Sequence, residues 1–196
     1  KPKGLAYDIE CDELKIGEGE ILMVSLVSEN EKKVITWKKL PKSEKKPSYV
    51  EYVKDEAELI ERFVEHVKEI SPDFLIGYYS DGFDLPYFRA RAAHHNIKLS
   101  LGLDDSQPKF SRGREVTGKI NGIVHLDLLK FIRTAYAQYM SSETLSLNEV
   151  AKEFLGDTKK QFEHRHSTEL KGIDWKEYYE YNLHDSVLTL NLFEKF

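Results

Sequence analysis

Lys3-Gly4-Leu5-Ala6-Tyr7-Asp8-Ile9-Glu10 reads as a buried strand that carries two carboxylates where a core strand would ordinarily carry none. Side chains along an extended strand alternate between faces, so Ala6, Asp8 and Glu10 share one face and Leu5, Tyr7 and Ile9 the other. Two acids on one sheet face either line a solvent-facing edge or require a cation. The stretch alone leaves both open, because short acidic motifs recur without function.

Working outward, Gly17 and Gly19 punctuate a turn, and Ile21 to Val27 is a continuous apolar run suited to a strand covered on both faces. Lys33 to Lys38 reads as a third strand, which predicts an antiparallel meander. Lys38 to Pro47 reads as a solvated loop. Asp55 to Ile70 places Leu59, Ile60, Phe63, Val64 and Val67 at helical spacing, and Phe74 to Tyr78 is a short apolar strand. Strand, helix and strand at this spacing predict a crossover to a parallel neighbour. The expected fold is therefore α/β, a mixed sheet of about five main strands flanked by helices.

Further along, Asp84 is placed as the N-cap of a helix running to about His95, with Pro86 tolerated in its first turn. Phe110 to Thr117 predicts a hairpin, and Gly122 to Leu128 a last strand. Asp127 is expected to cap a helix over Leu128 to Met140. Ser146 to Phe154 reads as a short helix closed by Gly156, and Trp175 to Phe193 as a long terminal one. The chain stops at Phe196 without a cap or tail, which leads us to expect a fragment of something longer.

The 196 residues, 40% of them hydrophobic, suit one folded unit spanning residues 1–196. A net charge of −5 argues against nucleic-acid affinity through bulk charge, so a polyanion must be held locally, through metal. Cys11 has no partner for an intramolecular disulfide, and a lone thiol suits a reducing cytoplasm. The longest apolar runs fall far short of the roughly 20 residues that span a bilayer, so no membrane is expected.

In the terminal helix, Tyr178, Tyr181, Asp185, Leu188 and Leu192 follow at steps of three and four and share one face. A carboxylate in the middle of a buried face must be protonated, paired or metal-bound. Asp84 is compatible with both capping and ligation, since a carboxylate has two oxygens. Two carboxylates about 4 Å apart repel by roughly 4 kcal/mol at an effective dielectric near 20, so clustering Asp8, Glu10, Asp84 and Asp185 demands counterions. Two divalent cations would balance them, and hard oxygen ligands favour Mg²⁺ or Mn²⁺.

These motifs, in this order, give a resemblance over essentially the whole chain. Asp8-Ile9-Glu10, Tyr78-Tyr79-Ser80-Asp81-Gly82-Phe83-Asp84 and Tyr181-Asn182-Leu183-His184-Asp185 resemble the three exonuclease motifs of the proofreading 3′–5′ exonuclease domain of archaeal-type family B DNA polymerases. That domain belongs to the DEDD exonucleases with a ribonuclease H-like fold. The resemblance implies that Asp8, Glu10, Asp84 and Asp185 ligate two metals and that Tyr181 orients the attacking water. Glu180 stands where the other DEDD branch has histidine, which favours the tyrosine branch. By analogy Phe83, Tyr79, Tyr87 and Leu14 contact the terminal nucleotide, Tyr79 standing where the family usually has Asn. Cys11 replaces a common Thr and reads as a packing residue, while His125 and Asp127 read as core and cap.

The hairpin near Arg112 and Arg114 resembles a segment that partitions strands in these polymerases, and also reads as a plain surface loop. Polymerase motifs of the forms Asp-x-x-Ser-Leu-Tyr-Pro and Tyr-x-Asp-Thr-Asp are absent from the sequence. The implied substrate is the 3′ end of single-stranded or frayed DNA, and the implied partners are the remaining domains of a parent polymerase. Competing expectations are a DNA-holding module with weak or lost chemistry and a free-standing exonuclease acting on RNA.

Overall fold

The computed structural model describes residues 1–156 and 169–196. Its centre is β1 (Gly4–Cys11), which pairs antiparallel with β2 (Ile21–Val27) and, over Gly4 to Ala6, parallel with β5 (Phe74–Gly77). Adding β3 (Lys32–Thr36), β4 (Val50–Tyr52) and β8 (Val124–Asp127) gives a six-stranded sheet in the order β4-β3-β2-β1-β5-β8. The β1-β2-β3 meander and the parallel β5 and β8 make the mixed sheet that the sequence predicts; the short β4, parallel to β3, extends it. A separate hairpin is formed by β6 (Lys109–Arg112) and β7 (Val116–Lys119).

The alternation along β1 distributes its side chains between two cores. Leu5, Tyr7 and Ile9 pack with α1 (Glu56–Ile70) and α2 (Asp84–His94), whereas Ala6 faces the other way, toward α5 (Asp174–Lys195). Helix α1 forms where the periodicity places it, with the Asp55 carboxylate accepting from the Glu58 N–H at 2.9 Å. It is fastened to α2 by an ion pair inside the protein: Glu56 accepts from the Arg91 guanidinium at 2.6 Å and from the Ile21 N–H at 2.5 Å. The sheet thus lies between helices on both faces, an α/β ribonuclease H-like arrangement.

Several boundaries shift by a residue or two, β3 ending at Thr36 among them, and two of the shifts have a visible cause. Helix α3 (Leu128–Ala135) stops short of Met140, because Tyr136 leaves the helix and packs against Phe196, ring centroids 4.5 Å apart; a 3₁₀ turn then covers Ala137–Tyr139. Strand β8 starts at Val124, since Gly122 is a turn residue at φ 82°. Helix α4 (Leu147–Leu155) is capped by Ser146 and closed by Gly156 as the sequence predicts. No helix among the described residues is long and apolar enough to cross a membrane.

Candidate active site

Asp8 and Glu10 point from β1 toward α5, and Asp185 points back from the buried face of α5, where it is 3% exposed. Carboxylate oxygens of Asp8, Glu10 and Asp185 all lie within 4.8 Å of one another. Strand and helix are joined at this level by hydroxyls. Ser25, opposite Asp8 in the β1–β2 register, donates from Oγ to the Asn182 carbonyl at 2.8 Å and shares a 2.6 Å hydrogen bond with Ser186 Oγ. Among the described residues both partners of the Ser25 hydroxyl come from α5, so the helix cannot slide along the sheet without breaking buried hydrogen bonds.

Two further side chains of α5 hold the acids. Asn182 is fully buried and donates from Nδ2 to Asp8 Oδ2 at 2.9 Å and to the Asp8 carbonyl at 3.2 Å. Tyr178 donates its hydroxyl to Glu10 Oε2 at 3.2 Å, and its ring stacks on Tyr181 with centroids 6.3 Å apart. Sequence reasoning placed Tyr178 only on the buried face and passed over Asn182, although Asn182 stands one turn before Asp185.

Asp84 corrects the expectation of a cap. The N-cap of α2 is Phe83, with no side-chain capping bond, and Asp84 is the first helical residue. Its Oδ1 instead accepts from the N–H of Ile9, between Asp8 and Glu10, at 3.1 Å. It stands outside the three-acid cluster yet feels its field. Burial first, then the charges of Asp127 and Asp185, raise the Asp84 carboxyl to about 7 against the pull of the Ile9 N–H.

The four residues expected at a nucleotide divide by exposure. Leu14 is 85% and Tyr79 54% exposed, while Phe83 is half-buried with its ring 5.4 Å from that of Tyr87. Tyr87 is corrected: it is fully buried and has no surface to offer. Its hydroxyl reaches the Glu13 carbonyl at 2.9 Å and the Gly19 carbonyl at 3.0 Å, so it secures the loop that carries Leu14.

An all-carboxylate donor set suits a hard divalent cation such as Mg²⁺ or Mn²⁺, and three acids this close repel unless positive charge or protons intervene. Residues 1–150 match the family described as DNA polymerase family B, exonuclease domain. The chain belongs to this family. It is 34% identical over 200 residues to DNA polymerase 1 of Pyrococcus abyssi, which covers 98% of this chain and 24% of that polymerase. It is 39% identical over 163 residues to a DNA polymerase of Thermococcus litoralis, covering 80% of this chain and 9% of the other. A DNA polymerase of Pyrococcus glycovorans is 43% identical over 135 residues, 67% of this chain and 17% of that protein. The chain thus spans a quarter or less of these relatives.

Within this exonuclease domain, the loop between β5 and α2 is braced by two acids outside the cluster. Asp127 caps α3 through the Leu129 N–H at 3.1 Å, and also accepts from the N–H groups of Tyr79 at 3.0 Å and Asp81 at 3.1 Å. Burial pushes the Asp127 carboxyl up, against the pull of the Asp81 N–H. Asp81 accepts from the Gly118 N–H at 2.8 Å, pairs with His125 Nδ1 at 3.0 Å and with Lys130 Nζ at 2.8 Å. His125 Nε2 in turn hydrogen-bonds the Tyr7 hydroxyl at 2.9 Å. The exonuclease domain thereby ties hairpin, α3 and central strand to one loop.

Proposed function

We propose that this exonuclease domain hydrolyses the 3′-terminal phosphodiester of single-stranded or frayed DNA and releases deoxynucleoside 5′-monophosphates. The observation that carries this reading is the convergence of Asp8, Glu10 and Asp185 within 4.8 Å, with Tyr181 on the same helix face one turn before Asp185. Asp8, Glu10 and Asp185, with Asp84 beside them, are the residues that would hold divalent cations. Two such ions, when bound, lower the pKa of water and stabilise the attacking and leaving oxygens of a phosphodiester displacement.

The chain's own groups supply orientation. Asn182 and Tyr178 fix the carboxylates of Asp8 and Glu10 by donated hydrogen bonds. Tyr181, stacked on Tyr178, offers a hydroxyl to orient the attacking water. Phe83 and Leu14 are assigned to the terminal nucleotide. In the hydrolysis the water oxygen joins phosphorus, the P–O3′ bond breaks, and the 3′-oxygen leaves with a proton. We further propose that residues 1–196 are one editing module of a larger cytoplasmic DNA polymerase, working beside its remaining domains.

Incubation of the folded chain with 5′-labelled single-stranded DNA and Mn²⁺ should shorten the strand stepwise from its 3′ end. Asp8→Ala and Asp185→Ala should abolish shortening. A folded chain inert with both Mg²⁺ and Mn²⁺ would refute the catalytic reading, and a matched RNA strand cut equally well would refute the assignment to DNA.

A further inference from the structure

Tyr79 departs from its surroundings in three ways. Its backbone lies in the left-handed region at φ 60°, where a bulky residue is strained and Asn sits more readily. Its ring is exposed although Ser80 and Asp81 of the same loop are buried. The ring also lies over Gly82, where an added Cβ would come within 2.5 Å of Tyr79 Cε2. The conformation is held by the Asp127 carboxylate, which accepts the N–H groups of Tyr79 and Asp81. Strain that a fold holds in place concentrates where a side chain must be presented for function.

The ring forms one wall of a cavity of about 340 Å³. Val116 of the hairpin and Leu129 of α3 contribute apolar surface, and Lys130 and Arg133 contribute cations. Lys130 is committed to Asp81, but among the described residues Arg133 pairs with Glu115 alone, both side chains being about half exposed. Such exposed pairs hold weakly, and a phosphate is a stronger bidentate partner for Arg. The charge of this region also runs against the rest of the chain. From Lys109 to Arg133 six cationic side chains face two carboxylates, in a chain of net charge −5. An exposed aromatic ring beside cations is the combination by which single strands are held, base on ring and backbone on charge.

We propose, on the nucleic-acid reading of the site given above, that Tyr79 is a stacking platform for one base of the bound strand. The base lies in the cavity between the β5–α2 loop, the hairpin and α3, with the adjoining phosphate drawn to Arg133. The cavity belongs to the loop that delivers Phe83 and Asp84, so the held base sits beside the cluster of acids and not within it.

The test is fluorescence anisotropy of 5′-fluorescein oligodeoxythymidylate on the 196-residue chain carrying Asp8→Ala to prevent cleavage. A single abasic replacement is walked along the strand. One position should weaken binding on the order of tenfold. Adding Tyr79→Ala should weaken the intact strand by a similar factor and erase the penalty at that position, whereas Tyr79→Trp should keep both. Gly82→Ala, whose Cβ displaces the ring without removing it, should reproduce the loss and decides the matter if Tyr79→Ala does not fold. An intact positional penalty in either folded variant would overturn the stacking role and leave the nucleic-acid reading standing. A parent Asp8→Ala chain that binds no strand at all would overturn both.

Discussion

Asn182→Ala is the perturbation that most directly tests how the acids are held. The Asn182 amide is fully buried and spans 2.9 Å to Asp8 Oδ2 and 3.2 Å to the Asp8 carbonyl. Truncation removes one hydrogen bond to a charged group, worth about 1.5–3 kcal/mol, and one to a neutral carbonyl, worth about 1 kcal/mol. Global stability in urea should fall by about 2–4 kcal/mol. Loss of such a support typically costs 10- to 100-fold in metal affinity, which a calorimetric Mn²⁺ titration reads directly. Asn182→Asp sharpens the test by replacing the donor with an anion at the same distance from Asp8. At 2.9 Å and an effective dielectric near 20 the repulsion is about 6 kcal/mol. That variant should be less stable than Asn182→Ala without metal and should gain more from added Mn²⁺. If folded Asn182→Ala binds Mn²⁺ as tightly as the parent chain, Asn182 does not position Asp8 for a cation.

Glu56→Gln should lower stability by about 3–5 kcal/mol in urea denaturation, because it strips the counter-charge from Arg91, whose side chain is 7% exposed; an unchanged midpoint would show the pair to be dispensable. Gly122→Ala should cost more than about 1 kcal/mol, since φ is 82° and the new Cβ would meet Leu103 Cγ at 2.6 Å; thermal unfolding measures it. Burial alone would raise the Asp81 carboxyl, but donors from His125, Lys130 and Gly118 outweigh it and hold the group below its usual 3.8. A depressed carboxyl stabilises the fold fully above its unfolded pKa, and that contribution is lost as pH falls through the folded one. Urea midpoints taken below pH 3.8 should therefore fall less steeply in Asp81→Asn than in the parent chain, and parallel acid limbs would contradict the assignment.

The parts of the fold that periodicity controls were legible in the sequence. Alternation in Leu5 to Glu10 sorts the side chains between the two cores, and steps of three and four put Asp185 on the buried face of α5. What the sequence hid depends on contacts between distant segments. Asp84 has the type and position of a cap, but the acceptor it provides is taken by Ile9, in another element. From the sequence, Tyr87 is assigned to the terminal nucleotide by analogy, and only the folded loop reveals that its hydroxyl is spoken for by Glu13 and Gly19. Asn182 has no charge and fills an unspecified position inside the Tyr181–Asp185 motif, and its role exists only because Ser25 and Asp8 face it across the sheet. Helix α3 ends early because of rings supplied by Phe154 and Phe196, which local propensity does not see.

The bond from Ile9 N–H to Asp84 has a consequence for how variants are designed. Strand β5 runs beside β1 only as far as Ala6, so the two part company before Asp8 and Glu10 are reached. Past that fork the β1 backbone has a bare edge on this side, and the Asp84 carboxylate occupies it as a surrogate for the missing strand. Removing the side chain therefore orphans a buried amide as well as deleting an acid, and the two losses are indistinguishable in Asp84→Ala. Asp84→Asn keeps an oxygen for the amide while discarding the charge. The difference between those two variants is the measure of what the fork itself requires.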